Sequence, residues 1–168
     1  IVADGAVRAL LEKNIKPDIL VTDLDGDIES IKKIGKTKIP IIVHAHGDNS
    51  NRLEIVKKLS NVTGTTQTRE FGKLKNYGGF TDGDRCVFLA EYFNANKIVL
   101  IGMDFGRKIG KYSKHRVINR KTKLKKLKSG KMIIEWFATK SKADLYSTKR
   151  MKGYKTIRLI DLECIENF

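Results

Sequence analysis

Only two cysteines and two prolines occur among the 168 residues. Cys86 and Cys164 fit neither a metal-ligand spacing nor a disulfide framework, so a reducing, cytoplasmic setting is expected. A bilayer-crossing helix needs roughly 20 consecutive apolar residues. No stretch approaches that, no signal-peptide pattern opens the chain, and no membrane partner is expected. Two nucleotide-binding fingerprints are also missing. Without GxxxxGK[ST] the chain is not a P-loop NTPase, and without GxGxxG it has no dinucleotide fingerprint. Histidine is scarce as well, at three residues. His44-Ala45-His46 has a zinc-ligand spacing, but His115 is the only other histidine, and the barrel that usually carries such hydrolysis needs about 250 residues.

Acids are outnumbered 19 to 34 by Lys and Arg, for a net charge of +15, and the imbalance is local. Residues 107–158 hold 19 basic residues against two acids, Glu135 and Asp144, whereas the rest of the chain has 15 basic and 17 acidic residues. That polarity suits a phosphate-rich ligand bridged by a metal on one side and cations on the other. Nucleic acid would suit it too, but no nucleic-acid module or aromatic platform is legible, so such a partner is disfavoured. The lysine run 121–131 reads as a solvated helix face, and Tyr112, Ser113 and Lys114 are expected to cover a nucleotide mouth.

The length fits one domain over 1–168. The chain opens on Ile1 inside a strand-like run and is expected to lack a preceding segment. Strand-like runs at 1–3, 18–23, 41–45, 62–67 and 97–103 alternate with helical patterns, and late strand candidates lie at 144–147 and 156–160. Val7, Leu10 and Leu11 have helical spacing, 28–34 reads as a helix stopped by Gly35, and Asn51 is expected to cap a helix bearing Leu53, Val56 and Leu59. The clearest helix is capped by Thr81 or Asp82 and carries Cys86, Leu89, Ala90 and Phe93. A longer one spans about 120–140 with Gly130 in its middle. This alternation predicts an α/β fold, a three-layer α/β/α arrangement around a mostly parallel sheet.

Ligands in such sheets sit beyond the carboxyl ends of the strands, and there the acids gather. Seven aspartates fall in four clusters after apolar runs: Asp4; Asp23, Asp25 and Asp27; Asp48 beside His44 and His46; and Asp82 with Asp84. A fifth run ends on Asp104. A lone Asp-x-Asp-Gly favours a turn, but four clusters in step with strand ends favour a shared cation that a polyphosphate can also bind. Asp82 and Asp84 equally suit an N-cap and a first-turn acid. The loop Gly47-Asp48-Asn49 and the polar turn Gly64-Thr65-Thr66-Gln67 offer groups for substrate and nucleotide.

The succession ADGA, PDILVTDLDGD, TDGDR opening a helix, and IVLIGMDFG resembles the thiamine pyrophosphokinase pattern. With HAHGDN, GTTQ and GGFTDGDR in this order, the chain is more similar to the archaeal 6-hydroxymethyl-7,8-dihydropterin pyrophosphokinases, over about residues 1–140. The resemblance implies a Rossmann-like domain of the thiamine-pyrophosphokinase catalytic type. It implies Mg²⁺, ATP as co-substrate, and transfer of diphosphate to the hydroxymethyl group of a pterin alcohol with release of AMP. A thiamine-directed enzyme is the alternative, weakened by His44-Ala45-His46 and by the lack of room for a C-terminal β-sandwich.

Carried over by motif, Asp23, Asp25, Asp82 and Asp84 would bind the metal. Asp48 would take the hydroxyl proton and Arg85 would stabilise developing charge. Asp4, Gly5, His46, Asn49, Gly64, Thr65, Thr66, Gln67 and Asp104 would contact ATP or substrate. Self-association stays open.

Overall fold

A computed structural model describes residues 1–105, 110–112, 119–148 and 156–167. Ser113 and Lys114 of the expected cover, and His115, lie outside the described residues. Apolar runs of two to four residues make the strands. β1 (Val2–Ala3), β2 (Leu20–Thr22), β3 (Ile41–His44) and β4 (Val62–Thr65) form one sheet in that order, and β5 (Lys97–Leu100), β6 (Asp144–Ser147) and β7 (Arg158–Leu159) form a second. Every pairing in these two sheets is parallel, which is the α/β arrangement the alternation predicts. The expected sheet is thus two hydrogen-bonded ladders. β1 spans only two residues and is bonded to β2 alone among the named strands.

The register opposes Leu20 to Ile41 and Ile41 to Val62, so the strands of the first sheet end together. Alternating side chains then divide between its two faces. Val2, Leu20, Ile41 and Val43 pack with Val7 of α1 (Ala6–Glu12) and with Ile31 and Ile34 of α2 (Ile28–Gly35). On the other face Val21 and Ile42 meet Leu89 of α3 (Asp82–Tyr92), with Tyr77 and Cys86 beside them. A second core joins Val87 of α3 to Ile98, Leu100 and Leu145, and to Ile134 and Phe137 of α4 (Arg120–Ala138). α3 therefore serves two cores at once. Its sequence shows one stripe, and Val87 and Phe88 supply the other.

Three expectations change in detail. The segment expected to be a helix capped by Asn51 is a 3₁₀ helix, Ser50–Lys58, entered from Asn49. The Asn49 side chain makes no cap bond, because its amide is engaged elsewhere (below). β5 stops at Leu100 and Gly102 follows with φ 73°, a left-handed turn residue. Gly35 ends α2 from inside the helix, buried where a Cβ would overlap Leu59. No described helix is long and apolar enough to cross a membrane.

Candidate functional site

Strands that end in register bring their following loops to one edge, and three acids meet there. Carboxylate oxygens of Asp4, Asp23 and Asp25 all lie within 4.8 Å of one another. Leu24 explains how. Its side chain is fully buried in the first core while its backbone sits at φ 66°, so the flanking aspartates are turned outward. A left-handed leucine is strained and persists only where packing over-determines it. Thr22, a lone threonine with no motif around it, is the tie. Its hydroxyl donates to Asp4 Oδ1 at 2.6 Å and accepts from the Leu24 amide at 2.9 Å. Gly26 completes the approach, since a Cβ there would sit 2.5 Å from Asp4 Oδ2.

Burial raises the Asp4 carboxyl to about 6, against the Thr22 bond that lowers it, and the neighbouring Asp23 and Asp25 charges push it further up. A hard divalent cation favours such an all-oxygen set and would relieve that repulsion. His46 Nε2 stands 3.4 Å from Asp23 Oδ2, and Arg52 Nη1 stands 4.0 Å from Asp25 Oδ2.

The second acidic pair separates. Asp82 is half-buried, and its carboxyl is held well above the usual range by burial, then by Asp23, Asp4 and Asp25. It belongs electrostatically to the cluster. Asp84 turns the other way. Fully buried, it accepts from the amides of Phe80 (2.6 Å) and Thr81 (2.8 Å) at Oδ1 and from the Thr81 hydroxyl (3.1 Å) at Oδ2. The Thr81 amide bond is one half of the capping box of α3, and together the three bonds commit this carboxylate to the start of the helix. Of the residues expected to bind metal, Asp23 and Asp25 are thus grouped with Asp4, whereas Asp84 is turned into the start of α3. Asp27 is likewise a cap, accepting from the Ser30 amide.

Arg85 is engaged by the backbone before α3. It is fully buried, with Nη1 donating to the Gly78 carbonyl at 2.7 Å and Nη2 to that of Gly79 at 3.2 Å. Nη2 also lies 3.3 Å from His44 Nε2. A guanidinium can only donate, so Nε2 of His44 is the acceptor and Nδ1 carries the hydrogen, 3.3 Å from the Thr65 hydroxyl. Burial first, then the Arg85 and His46 charges, lower His44 to about 4. With both ring nitrogens engaged, His44 offers no lone pair for zinc. Asn49, buried as well, accepts from the His46 amide and donates to the carbonyls of Asp23 and His44. It laces the loops after β2 and β3 together.

The remaining expected residues are spread along this edge. Gly5 is buried at the entry to α1; Thr65 ends β4 and Thr66 follows it, both buried, with the Thr66 amide bonded to the Lys75 carbonyl. Gly64 admits Leu74 at a distance no side chain would allow. Gln67, Asp48 and Asp104 are exposed, and none of them joins the carboxylate cluster. Tyr112 donates to Glu12 Oε2 at 2.6 Å. That bond places it at the opposite end of α1 from Asp4 and Gly5 rather than over the acids.

Residues 1–110 match a protein family described as 6-hydroxymethylpterin diphosphokinase, MptE-like. The chain is 47% identical over 151 residues to the 6-hydroxymethyl-7,8-dihydropterin pyrophosphokinase of Methanocaldococcus jannaschii, covering 83% of this chain and 63% of that protein. It is 44% identical over 149 residues to the protein of the same name from Pyrococcus furiosus, covering 86% and 64%. A third, from Methanothermobacter thermautotrophicus, is 51% identical over 113 residues, covering 67% and 49%. The chain thus spans less than two thirds of the length of these relatives.

Proposed function

Because the chain belongs to the 6-hydroxymethylpterin diphosphokinase MptE-like family, we propose that it transfers diphosphate from ATP to the hydroxymethyl group of 6-hydroxymethyl-7,8-dihydropterin. The observation that carries this reading is the meeting of Asp4, Asp23 and Asp25 at the strand ends, with Asp82 beside them. A Mg²⁺ held by Asp4, Asp23 and Asp25 would neutralise part of the charge on the ATP phosphates. The substrate hydroxyl oxygen forms a bond to the β-phosphorus, the bond from that phosphorus to the α,β-bridging oxygen breaks, and AMP leaves with the bonding pair. The hydroxyl proton goes to a base, for which exposed Asp48, on the same loop as His46, is the proposed acceptor. Such transfer depends mostly on positioning and charge compensation.

The chain's own residues divide the work. His46 and Arg52 lie against Asp23 and Asp25 and orient them. Gln67 and the end of β4, Gly64 and Thr65 with Thr66 after it, face the nucleotide. Arg85 acts as a positioning residue through Gly78, Gly79 and His44. We also read residues 1–168 as one domain, in which the two parallel ladders form a Rossmann-like, three-layer α/β/α arrangement of the thiamine-pyrophosphokinase catalytic type. Helices on both faces of the first sheet support that reading.

The test is direct. Protein, ATP and Mg²⁺ are incubated with the reduced pterin alcohol, and in parallel with thiamine. AMP and a diphosphorylated pterin are the expected products. ADP or inorganic phosphate as product, or AMP formed only with thiamine, overturns the assignment.

A further inference from the structure

Phe80 is an apolar ring left 43% exposed on a segment whose backbone is clamped from both ends. Arg85 holds the carbonyls of Gly78 and Gly79 from beneath, and Asp84 takes the amides of Phe80 and Thr81. Gly78 and Gly79 both adopt left-handed φ, 86° and 82°, and a Cβ on Gly79 would overlap the Arg85 backbone at 2.6 Å. A buried arginine and a buried aspartate are thus committed to fixing four consecutive residues at the rim of the acidic site. Thr81 is extended (φ −110°, ψ 166°), which sets the residues before and after it two extended residues apart. The one after is Asp82, whose carboxyl feels the charges of Asp23, Asp4 and Asp25. The one before is Phe80.

Resting on the activity proposed above, we infer that Phe80 is the stacking platform for the bicyclic pterin ring. Flat heteroaromatics stack on exposed aromatic faces, and a rigid platform costs no ordering when the ligand arrives. Distance selects which ring of the reacting pair it takes. Two residues of extended chain separate Phe80 from Asp82, about 7 Å. The pterin ring is joined to the attacking oxygen through a single methylene, so it must lie next to the phosphates that the acids serve. Adenine is removed from the β-phosphorus by the ribose and the α-phosphate. Phe80 is therefore placed for the acceptor.

The test uses the full chain and needs no turnover. Binding of the pterin alcohol is followed by its own fluorescence, and binding of Mg-ATP is followed separately, for wild type, Phe80→Ala, Phe80→Leu and Phe80→Tyr. Removing the ring should weaken pterin binding about tenfold or more in both Ala and Leu variants, the scale of one lost stacking contact. Tyr should restore it, and Mg-ATP affinity should stay unchanged throughout. Thermal midpoints are measured for all four proteins, and the Phe80→Tyr protein should match wild type because it keeps the ring. Pterin binding that is equal in wild type and Phe80→Ala overturns the platform alone. Weakened Mg-ATP binding with unchanged pterin binding also overturns it, by moving the ring to adenine. A wild type that binds Mg-ATP but no pterin overturns the activity reading, and the platform with it.

Discussion

Two aspartates on the first turn of α3 do opposite things. Asp84 accepts three donors that hold the helix start, while Asp82 faces three other acids. Asp84→Asn should therefore act on folding. An amide cannot accept at both former oxygens, and the cost should be about 1–2 kcal/mol in urea unfolding. Asp25→Asn should leave stability nearly unchanged yet lower AMP production about a hundredfold, the scale of one lost electrostatic group. Near-normal turnover would remove Asp25 from the site.

Asp4 gives a pH-dependent test. Its folded pKa of about 6 lies above its ordinary 3.8. The folded state thus holds the proton more tightly between those values, and stability falls as pH rises through them. Asn keeps the acceptor for Thr22 and tolerates the φ of 38°. Asp4→Asn should then stabilise the metal-free protein above pH 6, by on the order of 1–3 kcal/mol, and have no effect near pH 4. His44 acts with the opposite sign. Its pKa is lowered to about 4, so its contribution is present above 6.5 and lost as pH falls toward 4. The two oppose each other in the wild type, so the variant difference at pH 4 and 7.5 is the informative quantity. An equal effect at both pH values would contradict the burial of Asp4. At this scale the sequence shows that acids gather where strands end, but it does not single out Asp4, Asp23 and Asp25 from Asp27 and Asp48. It gives Asp82 and Asp84 equal standing, because only the turn of the capped helix separates them, and it hides Thr22 because a lone threonine carries no pattern.

At the scale of elements, the alternation of runs fixed the order of strands and helices well, and Gly130 shows what it could not convey. Read along the chain, a glycine in the middle of α4 only weakens a helix, by about 1 kcal/mol relative to alanine. In the fold it is buried, and a Cβ there would stand 3.0 Å from Asp84 Oδ2 and 3.2 Å from Phe105 Cε1. Asp84 is held by its three donors and cannot yield. Gly130→Ala should therefore destabilise the protein by about 1–3 kcal/mol, reversing the sign that helix propensity alone gives. Thermal unfolding checks this, and a raised midpoint would show that α4 has room. Such close approaches between distant segments are invisible until the helices are packed.

For the whole molecule, the separation of an acidic strand edge from a basic C-terminal third was legible in the charges alone. What the charges could not assign was the place of each basic residue. Tyr112, expected over the nucleotide, instead bonds Glu12 at the far end of α1. If the acids hold a cation shared with ATP, ligand binding must stabilise the fold by mass action. At a hundredfold excess over Kd this is about 2.7 kcal/mol, raising Tm by several degrees. The rise should appear with Mg-ATP and vanish with ATP plus EDTA. A rise of equal size without the divalent ion would mean that ATP binds elsewhere.

α3 touches both cores, and this has a consequence for tolerance. Its position is fixed by two independent sets of neighbours, like a part located against two reference surfaces. Any error in one surface becomes misalignment at the tip, and the tip is Asp82. Trimming a methylene from Ile134, fully buried in the second core, thus changes more than the packing there. It shifts the bearing against which Asp82 is set toward Asp4, Asp23 and Asp25, and the fit of a cation would degrade before the fold itself gives way.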